Sequence, residues 1–362
     1  MTQQRIVCSG VRLEVDTDHA EFADYLAAQF PERPSEPPEI AVRVRWKEGA
    51  RDHLAPPTVF PGWPVEMRID RHVWLGAGRI LVLQNDDAPM IAVASEPAAS
   101  PRRFEVRYHF SLGDGWRERM TRALRPARLS VLRRKRLSTL TYYAAYYPAW
   151  WHLESRGGGH PLHASGVVVD GRGLLLAGLP GCGKSTLTLS FLGEPGAEIL
   201  SDNIVLHDGA EISACFEPLL LDERSRALLA KRVALQPLGR RHQYERDAFH
   251  VPHRTTGVPL AAAVLLGRGR TTRLTKVPSH DCARMILAMN EAAKEIRRYH
   301  VLSGILALAE PAALGHLDQR LAQLDRLLAG VPCWFLEVRE GVPAEGVEAL
   351  RGLVARATEV AS

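Results

Sequence analysis

Gly178-Leu179-Pro180-Gly181-Cys182-Gly183-Lys184-Ser185 matches the pattern G-x-x-x-x-G-K-[ST] at every fixed position. Before it stands Leu174-Leu175-Leu176-Ala177, an apolar run of the buried-strand type. After it, Thr186-Leu187-Thr188-Leu189-Ser190-Phe191-Leu192 reads as the continuation of a helix. Strand, glycine-rich loop and helix therefore come in the order that phosphate binding requires. Glycines let backbone N–H groups turn inward around phosphate oxygens, and a helix start presents its positive dipole end to them. A lysine at position 184 can reach the β and γ phosphates of a nucleotide, and a serine at 185 can ligate Mg²⁺. The candidate nucleotide-binding residues are Gly178, Gly181, Cys182, Gly183, Lys184, Ser185 and Thr186, with Cys182 contributing through its backbone.

Working outward, His163-Ala164-Ser165-Gly166-Val167-Val168-Val169 is a strand candidate, and Asp170-Gly171 is a two-residue hairpin turn joining it to the apolar run. If Val169 pairs with Arg172, His163 falls opposite Gly178, the first residue of the loop. His163 is thereby a candidate for the active site as well as for an ordinary structural histidine. On the other side, Ala197-Glu198-Ile199-Leu200-Ser201 predicts a strand parallel to the loop strand, expected to neighbour it and to end at the same sheet edge, where such folds gather their ligands. Asp202 is the first residue past its carboxyl end. Its placement makes it the candidate Mg²⁺ ligand, with Ser185, or general base. Ile204 to Ser213 reads as a hairpin around Asp208-Gly209.

With 362 residues, 46% hydrophobic and 24% charged, the chain has the composition of a folded globular protein and the length of two domains. No run of about 18 apolar residues is present, and Met1-Thr2-Gln3-Gln4-Arg5 does not open into the apolar stretch of a signal peptide. A cytoplasmic protein without membrane insertion is expected. Five scattered cysteines without a C-x-x-C pair indicate neither a disulfide framework nor a zinc site. The net charge of +5 arises from 46 basic and 41 acidic residues that are intermixed, so no nucleic-acid partner is expected.

Residues 1–136 alternate short strands such as Ile40-Ala41-Val42-Arg43-Val44 with Pro- and Gly-rich breaks and predict a small β-rich or α+β domain without visible chemistry. Its helical candidate is Asp18 to Phe30, carrying Phe22, Tyr25, Leu26 and Phe30. Residues 137–159 predict a connecting helix, with Tyr142, Tyr143, Tyr146, Tyr147, Trp150 and Trp151 as buried contacts, ending in Gly157-Gly158-Gly159. Residues 160–362 predict an α/β domain: a strand near Leu260 to Gly267, helices near Asp281 to Leu308 and Leu314 to Leu328, and a strand near Cys333 to Val338. The polar stretch from Arg240 to Arg246, continuing to His250, His253 and Arg254, reads either as a mobile flap for an acidic acceptor or as a solvated loop.

The stretch from Leu162-His163-Ala164-Ser165 through Gly183-Lys184-Ser185-Thr186 to Leu200-Ser201-Asp202-Asn203 resembles the catalytic domain of the HPr kinase/phosphorylase family, and especially its HPr-kinase-related members. That superfamily also contains the ATP-type phosphoenolpyruvate carboxykinases. The match covers about residues 160 to 210 and continues weakly through Pro259 to Gly267 and Val331 to Val338. The resemblance implies a P-loop kinase fold with a mixed sheet and flanking helices. It also implies ATP and Mg²⁺ at the loop, with His163, Lys184 and Asp202 catalytic. Two departures stand out. The family's paired aspartates are Asp202-Asn203 here, and its E-I-R-G-x-G segment is not recognisable, with Asp222-Glu223-Arg224 in that region. The expected reaction is therefore transfer of the ATP γ-phosphoryl group to a hydroxyl, without the reverse phosphorolysis. The expected acceptor is a serine-type hydroxyl of a protein or peptide. A small-molecule hydroxyl, a P-loop ATPase or nucleotide sensor without an acceptor, and a homo-oligomer stay open.

Overall fold

A computed structural model describes residues 1–48, 65–70, 72–76, 79–85, 90–96, 99–110, 120, 123–124, 126–215, 217–242, 246–250, 257–340 and 342–361. The protein is mixed α/β and divides into two compact units. One comprises Met1–His152, Leu238–Ala248 and Val301–Leu314; the other comprises Leu153–Pro237, Phe249–His300 and Gly315–Ser362. Among the described residues no helix is long and apolar enough to cross a membrane.

In the first unit, β1 (Thr2–Cys8), β2 (Val11–Thr17), β3 (Ile40–Glu48), β4 (Met67–Asp70), β5 (Val73–Gly76), β6 (Arg79–Asn85), β7 (Met90–Glu96) and β8 (Arg102–Phe110) form one sheet, ordered β1-β2-β3-β8-β7-β6-β5-β4. β3 runs parallel to both β2 and β8. The parallel step from β2 to β3 needs a crossover, which the helix Ala20–Gln29 supplies. Its residues Phe22, Tyr25 and Leu26 are buried, as is Phe30 just beyond, and the His19 Nδ1 accepts from the Phe22 N–H at 3.1 Å to cap its start. The aromatic strip forms helix Pro126–Thr141, a π-helical turn Tyr142–Tyr146 and helix Tyr147–Glu154. Tyr143, Tyr146, Tyr147, Trp150 and Trp151 are fully buried, with the Tyr146 ring 5.6 Å from Phe30 and 5.8 Å from Trp150. The strip is core.

In the second unit, β9 (His160–Leu162), β10 (Ala164–Val169), β11 (Arg172–Ala177), β12 (Ala197–Ser201), β13 (Val205–His207), β14 (Ile212–Ala214) and β15 (Leu219–Leu221) follow in turn. The strands β16 (Gln236–His242) and β17 (Arg246–His250) come next in the chain and fall mostly within the first unit's segment Leu238–Ala248; the second unit then continues with β18 (Leu260–Gly269), β19 (Arg273–Lys276) and β20 (Cys333–Arg339). A six-stranded sheet has the order β12-β10-β11-β18-β20-β19, with β11, β18 and β20 parallel. One face packs Leu175, Ala263 and Leu265 with Cys282 and Ile286 of helix Ser279–Asn290 and Leu324 and Leu328 of helix Arg320–Leu328. The other packs Leu174, Leu176 and Val264 with Leu187 of helix Lys184–Ser190 and Leu350 and Leu353 of helix Pro343–Ala361. Burial on both faces explains the unbroken apolar run of the loop strand, which alternation could not have produced.

Several expectations need correction. β12 does not neighbour the loop strand: β10 lies between them, antiparallel to each, so β12 still ends at the same edge as β11. The expected helices Asp281 to Leu308 and Leu314 to Leu328 are each broken, into Ser279–Asn290 and Lys294–Leu306, and into Leu314–Asp318 and Arg320–Leu328. The polar stretch is not one loop, because β16 and β17 occupy most of it. Its residues 243–245, with His253 and Arg254, lie outside the described residues.

A buried carboxylate anchors the segment leading into the sheet. Glu154 is fully buried; it accepts two hydrogen bonds from Arg320, each 2.7 Å, and one from the Tyr299 hydroxyl at 2.8 Å, and pairs with His160 Nδ1 at 2.5 Å. Burial alone would raise its pKa, but the hydrogen bonds from Arg320 and His160, with their positive charge, hold it at about 2. His160 begins β9, so this network fixes the strand that delivers His163. Glu154→Gln should destabilise the protein by about 3 kcal/mol at neutral pH, since the Arg320 charge would keep its burial and lose its partner. The folded pKa lies below the ordinary carboxyl value of 4.5. The stabilisation is therefore complete above about pH 4.5 and is lost as pH falls toward 2. Denaturant unfolding at a series of pH values should show the wild type and the variant converging across that window.

Candidate active site

The loop Gly178 to Gly183 sits between the carboxyl end of β11 and helix Lys184–Ser190. Its glycines answer to local geometry. A Cβ on Gly178 would lie 2.6 Å from the Cys182 sulfur and 3.1 Å from the Leu266 carbonyl oxygen, so the loop can close only over a bare Cα. Gly181 and Gly183 have φ of +85° and +107°, where side chains are strained. Cys182 thus packs its side chain back against Gly178. Lys184 is buried, and its ammonium donates to the Gly178 carbonyl at 2.6 Å and the Leu179 carbonyl at 3.4 Å. Ser185 and Thr186 are exposed in the first turn of the helix.

The hairpin register is the one expected: Val169 pairs with Arg172, and the ladder runs out to Ala164 opposite Ala177. His163 lies one residue beyond this ladder, at the bend between β9 and β10, so its expected opposition to Gly178 is not part of the paired register. Asp170 and Gly171 have φ of +49° and +78°, the signature of a type I′ turn. His163 is buried, and its backbone N–H donates to the Asn290 side-chain oxygen at 2.9 Å. Burial first, and the nearby Lys184 charge next, lower its pKa to about 4, opposed by the backbone of Asn203. Neither ring nitrogen has a hydrogen bond of good geometry, although the Asn203 backbone is near enough to act on the ring's titration.

Asp202 follows β12 at the same sheet edge. Its backbone carbonyl accepts from the Ser165 hydroxyl at 2.6 Å, and its charge acts on Lys184. Burial lowers the Lys184 pKa, opposed by Cys182 and then by Asp202. His163 and Asp202, which the sequence separates by 39 positions, therefore both lie within electrostatic reach of Lys184.

Four further residues bear on the site. Ser165 and Ser201 hold the turn at 202–203: the Ser201 hydroxyl accepts from the Asn203 and Ile204 N–H groups at 3.4 and 3.2 Å. Asn290 holds His163, and Glu217 accepts from the Asn203 amide at 2.8 Å. Ser165 was readable as the residue two beyond His163 on one strand. Glu217 was not readable from the expected two-residue turn at Asp208-Gly209; the observed longer connection pairs His207 with Ile212 and Val205 with Ala214, and it is this register that carries the chain back beside Asn203. Nothing local signals Asn290. The other nearby acids serve local structure: Asp208 accepts from the Ala210 and Glu211 N–H groups, and Asp222 caps helix Glu223–Leu229.

No protein-family model matches the chain, and no curated protein matches it. Among the described residues no three His, Cys, Asp or Glu side chains gather as a metal cluster. Mg²⁺ needs no such cluster, since it commonly keeps several waters and takes one or two carboxylates.

A titration followed by imidazole NMR signals tests the geometry. His163 should titrate with a midpoint near 4. Lys184→Ala should move that midpoint upward, because it removes a neighbouring positive charge. A midpoint at the ordinary value of 6.5 in the folded wild type would contradict the placement.

Proposed function

We propose that the chain is an ATP-dependent kinase of the HPr-kinase-like P-loop type, transferring the γ-phosphoryl group to a hydroxyl, with a serine-type hydroxyl of a protein or peptide as the favoured acceptor. The observation that carries this reading is the convergence of Lys184, His163 and Asp202 on one phosphate-loop edge of the sheet. The loop supplies backbone N–H groups and a buried cation. A lysine already held by loop carbonyls keeps its charge directed at the loop, and its depressed pKa reflects burial that strengthens its attraction to phosphate.

The donor set suits Mg²⁺. The Ser185 hydroxyl and the Asp202 carboxylate are hard oxygen ligands of the class this ion takes, and the field of Asp202 already reaches the loop lysine. When bound, Mg²⁺ would neutralise charge on the transferring phosphates. Asp202 orients or deprotonates the acceptor hydroxyl. His163, neutral at physiological pH, can donate or accept a hydrogen bond at the γ-phosphate without adding charge. Lys184 stabilises the charge that spreads over the equatorial oxygens.

Purified protein incubated with labelled ATP, with and without candidate peptides and metabolites, separates transfer from simple hydrolysis. Turnover that needs no acceptor would favour the ATPase reading. Lys184→Ala should abolish transfer in a folded protein. Asp202→Asn should leave ATP affinity within a few fold and slow transfer by about 10² to 10⁴, the size of general-base catalysis. Full activity in either variant would sink its assigned role.

A further inference from the structure

Asp202 reaches the site on a short turn between β12 and β13, and the hydrogen bonds of that turn converge on its neighbour, Asn203. The Asn203 N–H is held by the Ser201 hydroxyl, its backbone acts on the His163 ring, and its side-chain amide donates to the Glu217 carboxylate at 2.8 Å. Glu217 lies 14 positions further along the chain. It returns because β13 and β14 pair with Val205 opposite Ala214, so the residues after Ala214 come back level with Asn203. The Cys215 carbonyl accepts from the Glu217 N–H at 2.9 Å and folds this return into a tight turn. Glu217 is partly buried, where a hydrogen bond to a charged acceptor is stronger than at an open surface.

We propose that Glu217 is a positioning residue for Asp202, acting through the Asn203 amide to set where the Asp202 carboxylate stands relative to the phosphate loop. The inference rests on the nucleotide-site reading above. A side-chain amide between two acids is suited to this task. It neutralises neither carboxylate but fixes the Glu217 acceptor against the Asn203 donor, and the peptide that carries the amide also carries Asp202. An aspartate at 203 would instead set two carboxylates within hydrogen-bond distance and repel Glu217.

The test uses Mn²⁺ as the probe. Its affinity for the full-length protein is measured by electron paramagnetic resonance in the presence of a non-hydrolysable ATP analogue, with circular dichroism confirming the fold. Glu217→Ala and Asn203→Ala should each weaken Mn²⁺ about tenfold, and the double variant should be no weaker than the worse single one, because the two side chains form one unit. Glu217→Gln should stay within about twofold of wild type, since its amide oxygen accepts the same hydrogen bond. Unchanged Mn²⁺ affinity in folded Glu217→Ala, additive losses in the double variant, or a Gln variant as weak as Ala would each overturn the proposal. If Glu217→Ala does not fold, Asn203→Ala and Glu217→Gln still decide it: the first must weaken Mn²⁺ and the second must not. Lys184→Ala separates the two levels. If it loses the analogue while Glu217→Ala keeps full Mn²⁺ affinity, only the positioning role falls. If it binds the analogue like wild type, the nucleotide-site reading falls and this one with it.

Discussion

The two-residue turn at Asp170-Gly171 sets the register of the β10–β11 hairpin, and every functional placement depends on that register. Both strands are buried on both faces: Ser165, Val167 and Val168 on one strand, and Leu174, Leu175 and Leu176 on the other, are at or near zero exposure. A pair of strands with two apolar faces has no polar side to penalise a slip, so the hydrophobic pattern alone would leave the register loose. The type I′ turn supplies what the pattern cannot, because its two left-handed residues admit one pairing of the flanking positions. A slip of one residue would turn Ser165 away from the Asp202 carbonyl it now binds.

Close packing around the hairpin reinforces the same choice. A Cβ on Gly166 would meet the Leu200 side chain at 3.0 Å, and one on Gly173 would meet Ile212 at 2.9 Å. Both glycines stand where pairing shifts, Gly166 against β12 and Gly173 against β18. The sheet thus bends at its glycines, while larger residues fill the space on either side. At the other end of the segment, the buried Glu154 network holds His160 and with it the start of β9. His163 is therefore fixed from two directions, by the single buried carboxylate of Glu154 and its partners on one side and by a hairpin ladder on the other.

The site built on this frame is electrostatic in character. A buried lysine, a buried neutral histidine and an aspartate act on one another across a loop whose backbone must stay uncluttered by side chains. Burial is the leading cause of both depressed pKa values. Such a setting raises the worth of each charge and hydrogen bond above its value in water. The serines and amides around it are short, so they fix backbone positions with little side-chain freedom to lose.

Much of this was legible in residues 160–210. The loop motif, the strand before it, the Asp170-Gly171 turn and the strand-end position of Asp202 are local features, governed by backbone conformation over a few residues, and local physics reads directly from sequence. A hairpin over this stretch was legible too, but its register was not: the connection spans residues 208–211 and pairs His207 with Ile212, where a two-residue turn at Asp208-Gly209 would pair His207 with Ala210. Other features had to come from the tertiary structure. The insertion of β10 between β11 and β12 is a choice among strand orders that all bury the same apolar runs. The helix breaks at 291–293 and at Gln319 contain no glycine or proline to announce them. Asn290 reaches His163 across 127 positions, and Arg320 reaches Glu154 across 166. No periodicity encodes such a distance. A polar side chain in a helix looks the same in sequence whether it meets water or a buried partner, and only the packed fold decides which.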